Sequence, residues 1–234
     1  TQEVAGAANG QDGVKEGAVA QIGEATYATL DEAFKMVKDG QTIQLLESVK
    51  LDKFVALRTA GISVVLDLNG KSITGACTPL LAVIDGQLSV KNSQPGQGGI
   101  HAVNRDFEVA GAYKTKDPQR SPRLIIEEDV EVVSDSEVCV FMYGKAAYVE
   151  VFGTLISNSP DYATISGNGT CKDSENWGGT TLVIQPGALV QGADAAIYWP
   201  QSGTIVVKGG QIEGVSAAIG MKSGTLTVND GLIK

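Results

Sequence analysis

The stretch GTIVVKGGQIEG, Gly203 to Gly214, returns further along the chain as GTLTVNDGLIK, Gly224 to Lys234. Successive side chains of a strand point to opposite faces, so Ile205 and Val207 share one face and Thr204 and Val206 the other. The same aliphatic-x-aliphatic pair recurs at Ile43/Leu45, Leu66/Leu68, Leu88/Val90, Leu124/Ile126, Val149/Val151, Leu182/Ile184, Ile205/Val207 and Leu226/Val228. The spacing is nearly constant, except for two long steps, from Leu88 to Leu124 and from Val149 to Leu182. A second ladder, Val138/Val140, Ala163/Ile165, Ala195/Ile197 and Ala217/Ile219, keeps the same spacing and shares the second long step. The two long steps contain the polar runs NSQPGQGG with YKTKDPQRSPR, and SGNGTCKDSENWGG, which read as insertions into a regular coil.

A short, regular period with two or three strands per turn and glycines at the corners describes an all-β parallel β-helix of about eight coils. Each strand then pairs with its equivalent one turn on, and stacked Ile, Leu and Val fill a long interior. A leucine-rich repeat has a similar period, but its spaced leucines with Asn are missing; an antiparallel sandwich is the other rival. Residues 41–234 form the expected β-helix.

The open end of such a coil exposes apolar side chains and strand edges, so a cap is expected. TLDEAFKMVKDG, Thr29 to Gly40, supplies one: Leu30, Ala33, Phe34 and Val37 fall on one helical face, and Thr29 with Glu32 makes a capping box. Lys35 and Lys38 suit its C-terminal end, and Gly40 its exit. Before it, AVAQIGEATYAT alternates around Gly23 and predicts a small hairpin, so residues 17–40 form the cap. Residues 1–16 read as a leader or linker. The chain stops at Lys234 within a repeat, which predicts a longer protein with further domains, or a terminal coil covered by a partner.

The run TYATLDEAFKMVKDGQTIQLLESVKLD, followed by VVLDLNGKSITG, resembles the opening of pectate-lyase-like right-handed β-helix domains of large bacterial secreted and surface proteins. The resemblance covers about Val19 to Val90 by motif and the remainder by period. It implies a right-handed coil, with Asn69 and Gly70 turning the first full coil, and an extracellular or cell-surface address. It implies no single activity.

Composition narrows the function classes. The formal net charge of −9 lacks the basic footprint that nucleic acid requires. No apolar run approaches the roughly 18 residues of a membrane span. The three cysteines, Cys77, Cys139 and Cys171, fit no metal-ligand spacing, and their pairing stays open.

Carbohydrate-active β-helices need either Ca²⁺ on carboxylates with an Arg or Lys base, or paired carboxylates across a scissile bond. Glu127, Glu128 and Asp129 fall at a turn, and their equivalents one coil on are Phe152, Gly153 and Thr154, so no carboxylate stack forms. Asp161, Asp173, Glu175 and Asp194 surround the second insertion and offer a candidate Ca²⁺ set; no other cofactor is implied. The single histidine, His101, sits in the first long step without an identifiable partner and reads as a solvated loop residue.

Aromatic residues point elsewhere. Eight of the thirteen, Phe141, Tyr143, Tyr148, Phe152, Tyr162, Trp177, Tyr198 and Trp199, lie between positions 141 and 199. Phe141 and Tyr198 follow the inward Val140 and Ile197, so they point outward at one strand position of different coils. Tyr143 and Trp199 are expected in the corner beyond, with Trp177 on the insertion between. Such a flank, edged by Asn168, Asp173, Asn176 and Gln201, can stack on sugar rings and bond their hydroxyls. The competing reading is a local mini-core in which Trp177 folds onto Trp199. The expectation is a non-catalytic extracellular module, a stalk or adhesin segment, binding a polysaccharide or a host or cell-surface protein. The alternative is a polysaccharide lyase of the same fold.

Overall fold

A computed structural model describes residues 17–112, 119–169 and 179–234. The expected leader, Cys171, and the insertion residues Asp173, Glu175, Asn176 and Trp177 lie outside the described residues.

The chain is an all-β parallel solenoid. Each turn lays down three short strands, one for each of three parallel sheets. Seven three-strand turns run from Thr42–Leu45 to Ala217–Met221, and Thr225–Val228 with Leu232–Ile233 begin an eighth. The expectation of about eight coils therefore counts the incomplete one. Strand Ala20–Ile22 pairs antiparallel with Ala25–Tyr27 across the turn at Gly23, and extends the first sheet by pairing Ala20 with Leu45.

The first ladder is a register of this first sheet. Ile43 pairs with Leu66, Leu88 with Leu124, Leu124 with Val149, Val149 with Leu182, Leu182 with Ile205, and Ile205 with Leu226. One step differs: Leu66 pairs with Val90, and Val64 with Leu88, one alternation period from the expected match. Strand Ser63–Asp67 carries Val64 and Leu66 inward, and buried Leu68 follows at the same period, so an aliphatic pair fits twice. A slip by one full period keeps every side chain on its face, so alternation cannot distinguish the two fits. The second ladder is a register of the third sheet, where Val140 meets Ile165, Ile165 meets Ile197, and Ile197 meets Ile219.

The first long step is no simple loop. It holds strands Gly99–Ala102 and Phe107–Ala110, so its extra length is divided between a turn near Pro95 and a segment beyond Ala112. His101 therefore lies on a strand; it is half-exposed and meets Asp135 of the next coil, Nε2 to Oδ1, at 2.8 Å. Asn69 and Gly70 turn the chain in left-handed conformations (φ 49° and 74°). Asn69 Nδ2 donates to the Leu45 carbonyl at 3.0 Å, and the Gly70 amide donates to Asn92 Oδ1 at 2.9 Å, tying three coils together.

Helix Leu30–Met36 closes one end. The Glu32 amide donates to Thr29 Oγ1 and the Thr29 amide to Glu32 Oε2, completing the capping box. Its buried Leu30, Ala33 and Phe34 pack toward the hairpin and strand Val55–Leu57, the edge of the third sheet. Among the described residues, no helix is long and apolar enough to cross a membrane. In the last described turn, the inward positions Leu226, Val228 and Ile233 are exposed, whereas Ile205, Val207 and Ile212 beneath them are fully buried.

Candidate ligand groove on the third sheet

The third sheet carries one outward row across its later coils. Alternation in strand Val140–Tyr143 sends Val140 and Met142 into the core and leaves Phe141 and Tyr143 half-buried on the outer face. Register then aligns Glu108, Phe141, Ser166, Tyr198 and Gly220 on successive coils. Phe141 and Tyr198 are thus two strand spacings apart, about 9–10 Å between backbones, with Ser166 between them. Ser166, Gly167, Ala163 and Ala195 are small, so the interval stays open as a groove of about 440 Å³. Its rim carries Arg105, Glu137, Asp161, Tyr162 and Asp194.

One wall is an ion-pair network. The Arg105 guanidinium lies 4.4 Å from the centre of the Phe141 ring. It donates to Glu108 at 2.8 Å and to Glu137 at 3.4 Å. The Tyr143 hydroxyl donates to the other Glu108 oxygen at 3.1 Å, and its ring meets Phe141 at 5.6 Å. Burial, and next the Glu108 carboxylate, push the Tyr143 hydroxyl up to about 12, so it stays a neutral donor. On the opposite wall, the Lys222 ammonium stands 5.4 Å from the centre of the Tyr198 ring. Among the described residues, Asp161 and Asp194 form no ion pair. On the floor, the nine-tenths buried Ser166 donates among the described residues only to the neighbouring Gly167 carbonyl, at 3.5 Å. That distance is at the far limit of a hydrogen bond, which leaves the donor available.

Two expected members of the aromatic flank are elsewhere. Trp199 is fully buried: strand Ala195–Trp199 continues its alternation one step past Tyr198, so Ala195, Ile197 and Trp199 all turn inward. Its indole nitrogen has no hydrogen-bond partner among the described residues, and the backbone of Gly224 approaches so closely that a Cβ there would lie 3.0 Å from it. Gln201 is also fully buried, directly behind the groove floor, where a Cβ on Gly167 would overlap its amide. Its Nε2 donates to the Met142 carbonyl at 3.3 Å, and its Oε1 has no partner among the described residues. Neither can contact a ligand in the groove. Trp177 and Asn176 lie outside the described residues, as does any packing of Trp177 on Trp199.

Of the candidate Ca²⁺ set, Asp161 and Asp194 share the groove, while Asp173 and Glu175 lie outside the described residues. Among the described residues, no group of three or more His, Cys, Asp or Glu side chains is placed to hold a metal ion. Cys77 and Cys139 are free thiols. A slightly larger hollow, about 460 Å³, lies between the cap and strand Val49–Leu51, lined by Leu30, Leu51 and Phe54 among others. It has no aligned aromatic walls.

Arg105, Glu137 and Ser166 on the groove lining, and Glu108 paired with Arg105, are residues that the sequence reading does not anticipate. The signal for them is the alternation Phe107/Val109, which extends the second ladder one long step back from Val140/Met142 and brings Glu108 beside Phe141. No family model matches this chain, and no curated protein or solved structure is significantly similar to it.

Proposed function

We propose that this chain is a non-catalytic extracellular β-solenoid module of a bacterial surface protein that binds glycan on its third sheet. The observation that carries the reading is the open interval between Phe141 and Tyr198, with these two side chains on its lining and Ser166 on the strand between them. Aromatic rings two strands apart leave room for a pyranose ring to stack on either wall, while hydroxyls meet the rim carboxylates. The surface address rests on the likeness of the cap and first coils to pectate-lyase-like domains. A glycan array on the full chain, compared with Tyr198→Ala, tests it: bound glycans should be lost in the variant, and an array with no bound glycan overturns the proposal.

A polysaccharide lyase of the same architecture is the second reading, favoured by the presence of Asp161, Asp194, Glu137 and Arg105 in one groove. Against it, the Arg105 guanidinium is committed to two carboxylates, Glu108 and Glu137, so it is poorly placed to take a proton from substrate. Glu137, Asp161 and Asp194 on the groove lining also oppose an anionic uronate chain. Formation of unsaturated uronate products that stops on adding chelator would establish the lyase and sink the non-catalytic reading.

A further inference from the structure

The charge of the groove is uneven in a way that glycan stacking alone does not require. Arg105 on the rim is already neutralised twice over, by Glu108 at 2.8 Å and Glu137 at 3.4 Å, and the other cation beside the groove, Lys222, stands over the Tyr198 ring. Asp161 and Asp194 remain on the rim without an ion-pair partner among the described residues. They come from different coils, just before strands Ile165–Gly167 and Ala195–Trp199, so both stand beside the interval that separates Phe141 from Tyr198. The ring faces already hold cations, which leaves the two rim carboxylates as the groups that call for positive charge. An aromatic face attracts a cation through its quadrupole, and the protein's own Arg105 and Lys222 sit at 4.4 and 5.4 Å from the Phe141 and Tyr198 ring centres. The floor adds an independent polar feature, the nine-tenths buried Ser166 hydroxyl with a donor to spare.

We propose that the groove selects a cationic sugar, a hexosamine unit carrying a free ammonium, within an amino-sugar polymer. This rests on the glycan-binding reading above and narrows it to one class of glycan. The pyranose ring stacks between Phe141 and Tyr198, its ammonium is held by Asp161 and Asp194, and a ring hydroxyl accepts from Ser166. A neutral N-acetylated ring keeps the stacking but leaves both carboxylates without a counter-charge. A uronate ring adds repulsion.

The test is calorimetric titration of the full chain with three probes of equal length: a glucosamine tetramer, an N-acetylglucosamine tetramer and a neutral glucose tetramer. A tetralysine peptide serves as a fourth. The glucosamine tetramer should bind at least about tenfold more tightly than either neutral probe, consistent with an ammonium held between two partly exposed carboxylates. That margin should shrink in high salt. Asp161→Asn/Asp194→Asn, surface changes checked for folding by circular dichroism, should bring the glucosamine tetramer down to the affinity of the acetylated one. Equal affinity for the amino and acetylated tetramers overturns the cationic selection but keeps glycan binding. Binding of none of the sugars overturns both. Tetralysine matching the glucosamine tetramer shows a cation site without sugar selectivity and also overturns the proposal.

Discussion

Tyr198 stands two coils above Phe141 on one outward row of the third sheet, with Ser166 on the strand between them. The residue next to Tyr198, Trp199, faces the opposite way and is completely enclosed by the solenoid core. Binding and stability should therefore separate at adjacent positions.

Phe141→Ala and Tyr198→Ala should each weaken binding of whatever oligosaccharide the wild type retains on an array by about tenfold, roughly one stacking contact. Urea midpoints should move little for Tyr198→Ala, whose ring is only half-buried. Calorimetry with unfolding curves on the same samples checks both. Unchanged affinity in both variants would remove the groove from the binding site.

Trp199→Ala should behave in the opposite way. Truncating a fully enclosed indole costs about 3–5 kcal/mol through lost burial and the cavity left behind, so urea unfolding should shift strongly. Any loss of binding in this variant should track loss of folded protein. A variant that unfolds like wild type would place the indole at the surface.

Asp106 gives the fold a pH dependence of unusual sign. Its carboxyl is fully buried, with Oδ1 accepting from the Ala102 amide at 2.8 Å and Oδ2 without a partner among the described residues. Burial pushes its pKa well above the ordinary value, and Asp135 adds to this, while the Ala102 amide and Cys139 oppose it. Because the folded value is raised, the contribution to stability is full below the unfolded value of about 3.9 and is lost as pH rises toward the folded value. Asp106→Asn removes this titration. Plotted against pH from 4 to 8, the unfolding free energy of wild type should fall relative to that of the variant. Parallel curves would show that the Asp106 carboxyl does not titrate differently on folding.

Gly167 and Gln201 should be coupled. A methyl on Gly167 overlaps the Gln201 amide, so Gly167→Ala should cost about 1–3 kcal/mol, as overpacked sites do. Gln201→Ala removes the obstacle, and the double variant should be markedly more stable than the sum of the two single changes predicts. Additive free energies in a denaturation cycle would contradict the contact.

At the capped end, Thr29→Ala removes the hydroxyl that accepts from the Glu32 amide at 3.2 Å. A loss of about 1 kcal/mol is expected, read as a lower urea midpoint.

The solenoid, its hairpin and its helix are legible in one sequence because each rests on local periodicity. Ile205 and Val207 face inward for the same reason as their equivalents in the other coils: side chains alternate along a strand, and the coils repeat at a nearly constant spacing. Thr29 and Glu32 announce the helix start through chemistry confined to its first turn. Local rules fail where two solutions share a face, as with Leu66 pairing Val90 instead of Leu88. They fail again where a strand runs one position longer than expected, which turns Trp199 inward.

The groove belongs to neither kind of local signal. Arg105 meets Phe141 and Glu137 from the preceding coil, and positions so far apart in sequence become neighbours only when the coils stack in one particular register. Alternation decided which side chains leave the core. Stacking decided which of them stand together, because contacts between coils depend on the length of every turn between them, and a turn's length carries no period of its own.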